Sequence, residues 1–184
     1  MRTGILLVVI LYTFTGCQTG PYSVASSSYD IPSGSHLILK KALTIPANTS
    51  RIYIQASKVI TPSQKDSYHP HCWFLSWKLL DSPQSIEPDT FIITHSAKFE
   101  EDYAQTPKLY ASLTKPGLMK VLDGSVTMLE YKTKLTISSE KQPNIRQLIC
   151  NRWETEPTDA RHLTVKEIRD TLGDVVELQL KEPA

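Results

Sequence analysis

From Val126 to Ser138 the chain alternates: Leu129, Tyr131, Thr133, Leu135 and Ile137 fall on one side, Glu130, Lys132 and Lys134 on the other. A period of two belongs to a strand with one buried face, because successive strand side chains point in opposite directions, whereas a helix repeats at about 3.6 residues. A lone strand leaves its backbone N–H and C=O groups unpaired, so this run demands partners. The pattern recurs in Leu37 and Leu39, in Ile52 and Ile54, in Cys72–Leu80, in Thr90–Ser96, in Leu148 and Cys150, and in Val176, Leu178 and Leu180, with turn-forming residues between. The expected fold is mainly β: a single antiparallel β-sandwich or partly open barrel.

One short C-terminal helix is expected over Val165–Leu172, where Thr164 and Glu167 have capping-box spacing and Gly173 supplies the stop. The turn Ile45-Pro46-Ala47-Asn48-Thr49 is expected to fold the Leu37–Leu39 strand back on Arg51–Gln55 as a hairpin, and Asp123-Gly124 to turn the chain into the long run. Cys72–Leu80 carries apolar residues on both faces, which predicts a central strand with Trp73 and Trp77 in the core and leaves Trp153 for the surface. Phe99–Lys115 is expected to be a long, partly helical excursion that opens on the solvated run Glu100, Glu101 and Asp102. No stretch repeats with a period of 20 to 50 residues, which excludes a solenoid or propeller.

The first residues do not belong to that domain. Arg2 is followed by the apolar run Ile5, Leu6, Leu7, Val8, Val9, Ile10 and Leu11 and then by small residues, the pattern of a secretory signal. The run is too short for a bilayer core, which takes about 20 apolar residues. Phe14-Thr15-Gly16-Cys17 resembles the lipobox of bacterial lipoprotein precursors, with Phe14 where that pattern prefers Leu. The resemblance implies diacylglyceryl transfer to the Cys17 thiol and cleavage between Gly16 and Cys17. Residues 1–16 are then a signal peptide, 17–30 a lipidated cysteine with a Ser- and Gly-rich flexible tether, and 31–184 the β-rich domain. Two or three acyl chains, at about 0.8 kcal/mol per buried CH₂, amount to a lasting membrane anchor. Gln18 in place of Asp resembles an outer-membrane sorting signal, so the expected location is the bacterial envelope, at the outer membrane facing the periplasm.

Removing Arg2 from the 20 Lys and Arg leaves 19, against 19 Asp and Glu, so the mature chain is balanced. Without a basic cluster it has no electrostatic footprint for nucleic acid. Cysteine use follows from the compartment. Once Cys17 carries lipid, Cys72 and Cys150 remain, and in an oxidising envelope such a pair favours a disulfide worth about 4 kcal/mol by chain entropy, with a metal or redox pair as the alternative. The bridge would set Phe74 and Leu148 beside it.

The most pointed local cluster is His69-Pro70-His71-Cys72, which offers imidazole and thiol ligands to zinc or copper. Against that, no second pair stands at zinc-like spacing, and His69 and His71 fit an exposed turn leading into a strand. His95 alternates with Phe91 and Ile93 and is expected on an apolar face; His36 opens a strand and His162 precedes the helix cap. Glu87, Asp89, Glu100, Glu101 and Asp102 include candidates for a catalytic carboxylate pair, better placed in a solvated loop. The chain has no G-x-S-x-G, H-E-x-x-H or P-loop pattern.

Ile31-Pro32-Ser33-Gly34-Ser35, Ile45-Pro46-Ala47, Arg51-Ile52-Tyr53-Ile54-Gln55, Cys72, Arg146-Gln147-Leu148-Ile149-Cys150 and Ile168-Arg169-Asp170-Thr171-Leu172-Gly173 are together similar to an uncharacterised family of small proteobacterial lipoproteins. The resemblance implies the lipid anchor, a two-cysteine β domain and an envelope location, and brings no activity or catalytic residue. The expected function is therefore a membrane-anchored interaction or structural module, not an enzyme and without a cofactor. Its expected partners are the membrane, through lipid on Cys17, and an envelope protein. The alternative is a metal-binding protein or metal-dependent enzyme using His69 and His71.

Overall fold

A computed structural model describes residues 23–104, 127–153 and 160–182. The long alternating run becomes β8 (Thr127–Ser138), flanked by β7 (Asp89–Ala104) and β9 (Ile145–Trp153), both antiparallel to it. Together with β1 (His36–Leu39), β3 (Arg51–Gln55), β4 (Lys58–Ile60), β5 (His71–Ser76) and β10 (Val176–Gln179) they form one eight-stranded sheet in the order β10-β1-β7-β8-β9-β5-β3-β4. β2 (Leu43–Ile45) and β6 (Gln84–Ile86) pair as a small second sheet, and α1 (Val165–Leu172) is the helix. The large sheet curls into a half-barrel, the partly open barrel of the two architectures expected.

The alternation decides what lies inside. On the concave face Ile52, Phe74, Leu148 and Leu135 stand opposite one another across β3, β5, β9 and β8, all buried. The next row is Ile54, Cys72, Cys150 and Thr133, and there the Cys72–Cys150 disulfide joins directly opposed residues whose Cα atoms are 4.0 Å apart. Phe74 and Leu148 are its neighbours along the strands, as the pairing required.

Helix α1 spans the gap between the two edges of the curled sheet. Towards β10, Arg169 Nε donates to the Leu178 carbonyl at 3.1 Å; towards the β3–β4 turn, the Ser57 N–H donates to the Thr171 carbonyl at 2.9 Å. Val165, Ile168 and Leu172 face the core beneath it. The Thr164 hydroxyl accepts from the Glu167 N–H while the Glu167 carboxylate accepts from the Thr164 N–H, the capping box read from the sequence. Gly173 ends the helix with φ +52°, and a Cβ there would meet Ser57 Oγ at 1.9 Å, so glycine is required by conformation and by contact.

Several expectations are corrected. β1 and β3 form no hairpin: β1 pairs with β7 and β10, and β3 turns through Ala56 and Ser57, both at positive φ, to pair with β4. The central strand ends at Ser76, where a register shift after Leu75 lets the chain leave the sheet. Phe99 to Ala104 continues β7 instead of starting a helical excursion, which puts Glu100, Glu101 and Asp102 on a strand; the remainder of that stretch, and Asp123-Gly124, lie outside the described residues. Of the expected tether, Tyr29 packs on the core and its carbonyl accepts from Lys98 Nζ at 2.6 Å, while Asp30 pairs with the same ammonium at 3.2 Å.

Candidate functional site

The His69-Pro70-His71-Cys72 segment enters β5, and strand geometry sends its three ligand-type side chains to three places. Cys72 points to the concave face, where the disulfide occupies its sulfur. His69 precedes the strand in an exposed loop, its Nδ1 2.9 Å from Asp66 Oδ2. His71 takes the convex face but is fully buried, which corrects the exposed turn expected for it. Its ring stacks on Trp73 with centroids 5.9 Å apart and lies tilted against Tyr53 at 6.4 Å.

Burial pushes the His71 pKa down to about 4, partly opposed by the hydrogen bond between its Nδ1 and the His69 carbonyl, 3.0 Å away. A carbonyl only accepts, so Nδ1 carries the proton and Nε2 is the bare nitrogen. That nitrogen is buried without a hydrogen-bond partner in the structure. A neutral imidazole with this tautomer is of the type that ligates metals, yet among the described residues no three His, Cys, Asp or Glu converge on a metal position.

Beside His69, between the 66–70 loop and α1, lies a groove of about 550 Å³ lined by Gln55, Asp66, His69, Pro70, Glu167 and Asp170 among others. Gln55 fixes its loop wall: Nε2 donates to the Asp66 carbonyl at 2.7 Å and Oε1 accepts from the Asp66 N–H at 3.0 Å. All three carboxylates of the groove are engaged. Asp66 accepts from the Tyr68 N–H and pairs with His69, and the Tyr68 bond is the main cause that holds its pKa below the ordinary value. Asp170 pairs with Lys166 at 2.5 Å. Burial opposes ionisation of Glu167, but the Arg161 guanidinium at 2.7 and 2.8 Å and the Thr164 bonds outweigh it and bring its pKa to about 2. Glu167 therefore stays ionised at neutral pH, as does Asp66, so the groove can hold a ligand but neither of these carboxylates is an acid ready to donate a proton.

The other candidates disperse. Asp89 ties the β8–β9 connection to β7, accepting from Ser139 at 2.5 Å, from Gln142 at 3.1 Å and from the Thr90 N–H at 2.8 Å. Glu101 and Glu130, directly opposed on β7 and β8, share the Lys132 ammonium. Glu87 caps the loop near Gln142 through its backbone. His95 follows a bulge in β7 after Ile93, and that one-residue shift turns it outward instead of onto the apolar face expected. His162 meets the Tyr131 ring edge-on at 5.5 Å, and burial lowers its pKa. His36 opens β1, half-buried.

The tryptophans divide differently from the sequence expectation. Trp73 is buried, with Leu75 and Ile149, on the convex face. Trp153 is half-buried, edge-on to Tyr68 at 5.6 Å, and donates from its indole to Glu130. Trp77, expected in the core, is 68% exposed, and so is Leu79. The signal that marks this was present in Lys78 and in Asp81-Ser82-Pro83, which end the apolar alternation and call for a turn.

Among the described residues no helix is long and apolar enough to cross a membrane. Compared with protein-family models, with curated proteins and with solved structures, the chain gives no match in any of the three.

Proposed function

We propose that the protein is a bacterial lipoprotein, anchored in the envelope by acyl chains on Cys17, whose β domain serves as a non-catalytic interaction or structural module. The observation that carries this is the apolar run Ile5–Leu11 leading into Phe14-Thr15-Gly16-Cys17, which pairs an export signal with a thiol at the cleavage point. The Cys72–Cys150 disulfide supports an oxidising compartment, because reduced thiols are the rule in the cytosol. The similarity to small proteobacterial lipoproteins points the same way, and Gln18 favours the outer membrane facing the periplasm.

The lowered pKa values of Glu167 and Asp66 at the groove and the dispersal of the histidines favour binding over catalysis. An envelope protein presenting an uncharged segment suits the groove beside α1, since Asp170 and Glu167 are already paired with Lys166 and Arg161, and Asp66 is hydrogen-bonded to the Tyr68 N–H and to His69.

Growth with an alkyne analogue of palmitate tests the anchor. The wild-type chain is expected to take up label and the Cys17→Ser variant to lose it, because a hydroxyl does not replace the thiolate as the nucleophile in acyl-glyceryl transfer. Equal labelling of the two chains, or an unlabelled wild type, would overturn the proposal.

A further inference from the structure

Two β-bulges converge on one hollow of the convex face. In β7, Ile93 pairs with Ile137 and His95 with Thr136, which leaves Thr94 as the extra residue. In β9, Gln147 pairs with Leu75 and Ile145 with Ser76, which leaves Arg146 as the extra residue. An extra residue re-aims a side chain that strict alternation would have sent the other way. Ile93 and Ile145 thereby stay in the core, while Thr94 and Arg146 turn outwards on either side of Thr136 in β8, the strand between them. With Ser138, Gln147 and Trp77 they line a hollow of about 330 Å³.

The walls of the hollow are fixed. The Trp77 N–H donates to the Asn144 carbonyl at 2.8 Å, and the Arg146 guanidinium lies 3.9 Å from the centre of the Trp77 ring. Thr94 Oγ1 donates to the Thr136 carbonyl at 3.2 Å, and Ser33 Oγ donates to the Thr94 carbonyl at 2.9 Å. Two groups keep binding capacity. Trp77 is 68% exposed, so the indole face turned away from Arg146 is open. Among the described residues Arg146 has no carboxylate partner, and its Nε is buried without an acceptor.

The lining chooses the ligand. The open indole face is the negative side of a quadrupole and attracts partly positive C–H groups. Around it the hydroxyls of Thr94, Thr136 and Ser138 and the Gln147 amide donate and accept, whereas the guanidinium only donates. A ligand with C–H groups on one face and oxygens around its rim is a sugar ring. The volume is at the low end of the range for small-ligand sites, about 300 to 1,000 Å³, which suits a ring or two. A peptide strand is disfavoured, because the backbone of β8 is already paired on both sides with β7 and β9.

We infer that this hollow is a saccharide-binding site, in which a sugar ring stacks on Trp77 and Arg146 selects rings that carry a carboxylate. It gives the proposed binding module a ligand, and it does not depend on lipid at Cys17.

Full-length protein in detergent, applied to an array of neutral, N-acetylated and carboxylate-bearing oligosaccharides, tests this, followed by titration of the strongest binder against tryptophan emission. Wild type is expected to bind, carboxylate-bearing sugars above neutral ones, with a shift in emission. Trp77→Ala should weaken binding about ten-fold or more, as loss of a central aromatic does. Arg146→Gln should remove the preference for carboxylates, and Arg146→Lys should keep part of it. Trp153→Phe, at the far end of β9, should keep both the binding and the shift. Trp77 is exposed and packs outside the core, so its replacement leaves the fold intact, which circular dichroism checks. No binding to any sugar on the array, or equal binding by wild type and Trp77→Ala, would overturn the inference. The anchor is read separately by palmitate labelling, so failure of either proposal is seen on its own.

Discussion

Replacing Cys72 and Cys150 together by alanine is expected to lower the unfolding free energy by about 4.5 kcal/mol, the chain-entropy value for a loop of this length. The bridge spans 78 residues of sequence and fastens β5 to β9, the centre of the sheet. A domain of this size has a total stability of about 5 to 15 kcal/mol, so the loss removes between about a third and nine-tenths of it. Urea unfolding of the oxidised protein, the reduced protein and the double variant measures it, and the last two should nearly coincide. Because both sulfurs are sealed in the concave face, the native protein should also resist reductant until denaturant is added. An oxidised protein and a double variant with equal midpoints would show that the bridge contributes nothing.

The second large effect is acid sensitivity through His71. Its imidazole has a pKa of about 4 when folded, against an ordinary value of 6.5, so between those limits the unfolded chain binds a proton that the folded chain refuses. Stability from this group is complete above pH 6.5 and is lost as the pH falls towards 4, by about 3 kcal/mol in all. The cause is desolvation against Tyr53 and Trp73, so His71→Phe should flatten the stability profile across that window. His162, lowered by half-burial, accounts for what slope is left. Glu167 works below it: with a folded pKa of about 2 against 4.5, its contribution is kept until the pH falls below 4.5. Thermal melts of wild type and His71→Phe between pH 7 and pH 4 check this, and parallel curves would contradict it.

How far the sequence reaches is clearest where local chemistry and tertiary demand agree. In β8 the alternation of Leu135 and Lys134 chooses the buried face outright, and once Cys72 and Cys150 pair, Phe74 and Leu148 must be neighbours. Thr164, Glu167 and Gly173 specify the helix because each supplies a hydrogen bond or a conformation that the helix end requires. The expectation failed where one residue changes the geometry. A bulge after Ile93 reverses the face of His95, because a strand's period of two turns a single insertion into an inversion, and β5 stops at Ser76, which leaves Trp77 outside the sheet. The turn at Ala56-Ser57 was invisible since neither residue favours positive φ; the contact with α1 and Gly173 holds it instead.

The candidate site was legible only in part. His69 and His71 were expected together in an exposed turn; His69 is exposed but His71 is buried, because being two positions apart does not mean a shared setting when Pro70 separates a loop from a strand. Burial of His71 depends on Tyr53, Trp73 and the loop pinned by Gln55, partners that are distant in sequence and leave no local mark. The groove beside α1 is likewise assembled from Gln55, Asp66 and Asp170, which no short motif connects.

In the function proposed above, lipid on Cys17 would set the compartment, an oxidising compartment would suit the Cys72–Cys150 disulfide, and the β domain would work at a membrane. Intact mass spectrometry of the detergent-extracted protein, before and after reduction, tests that chain of claims at once. The expected mass lacks residues 1–16, carries diacylglyceryl on Cys17, and rises by two hydrogens when the Cys72–Cys150 bond is reduced. A mass that retains the leader, or that shows an unmodified Cys17, would contradict the account.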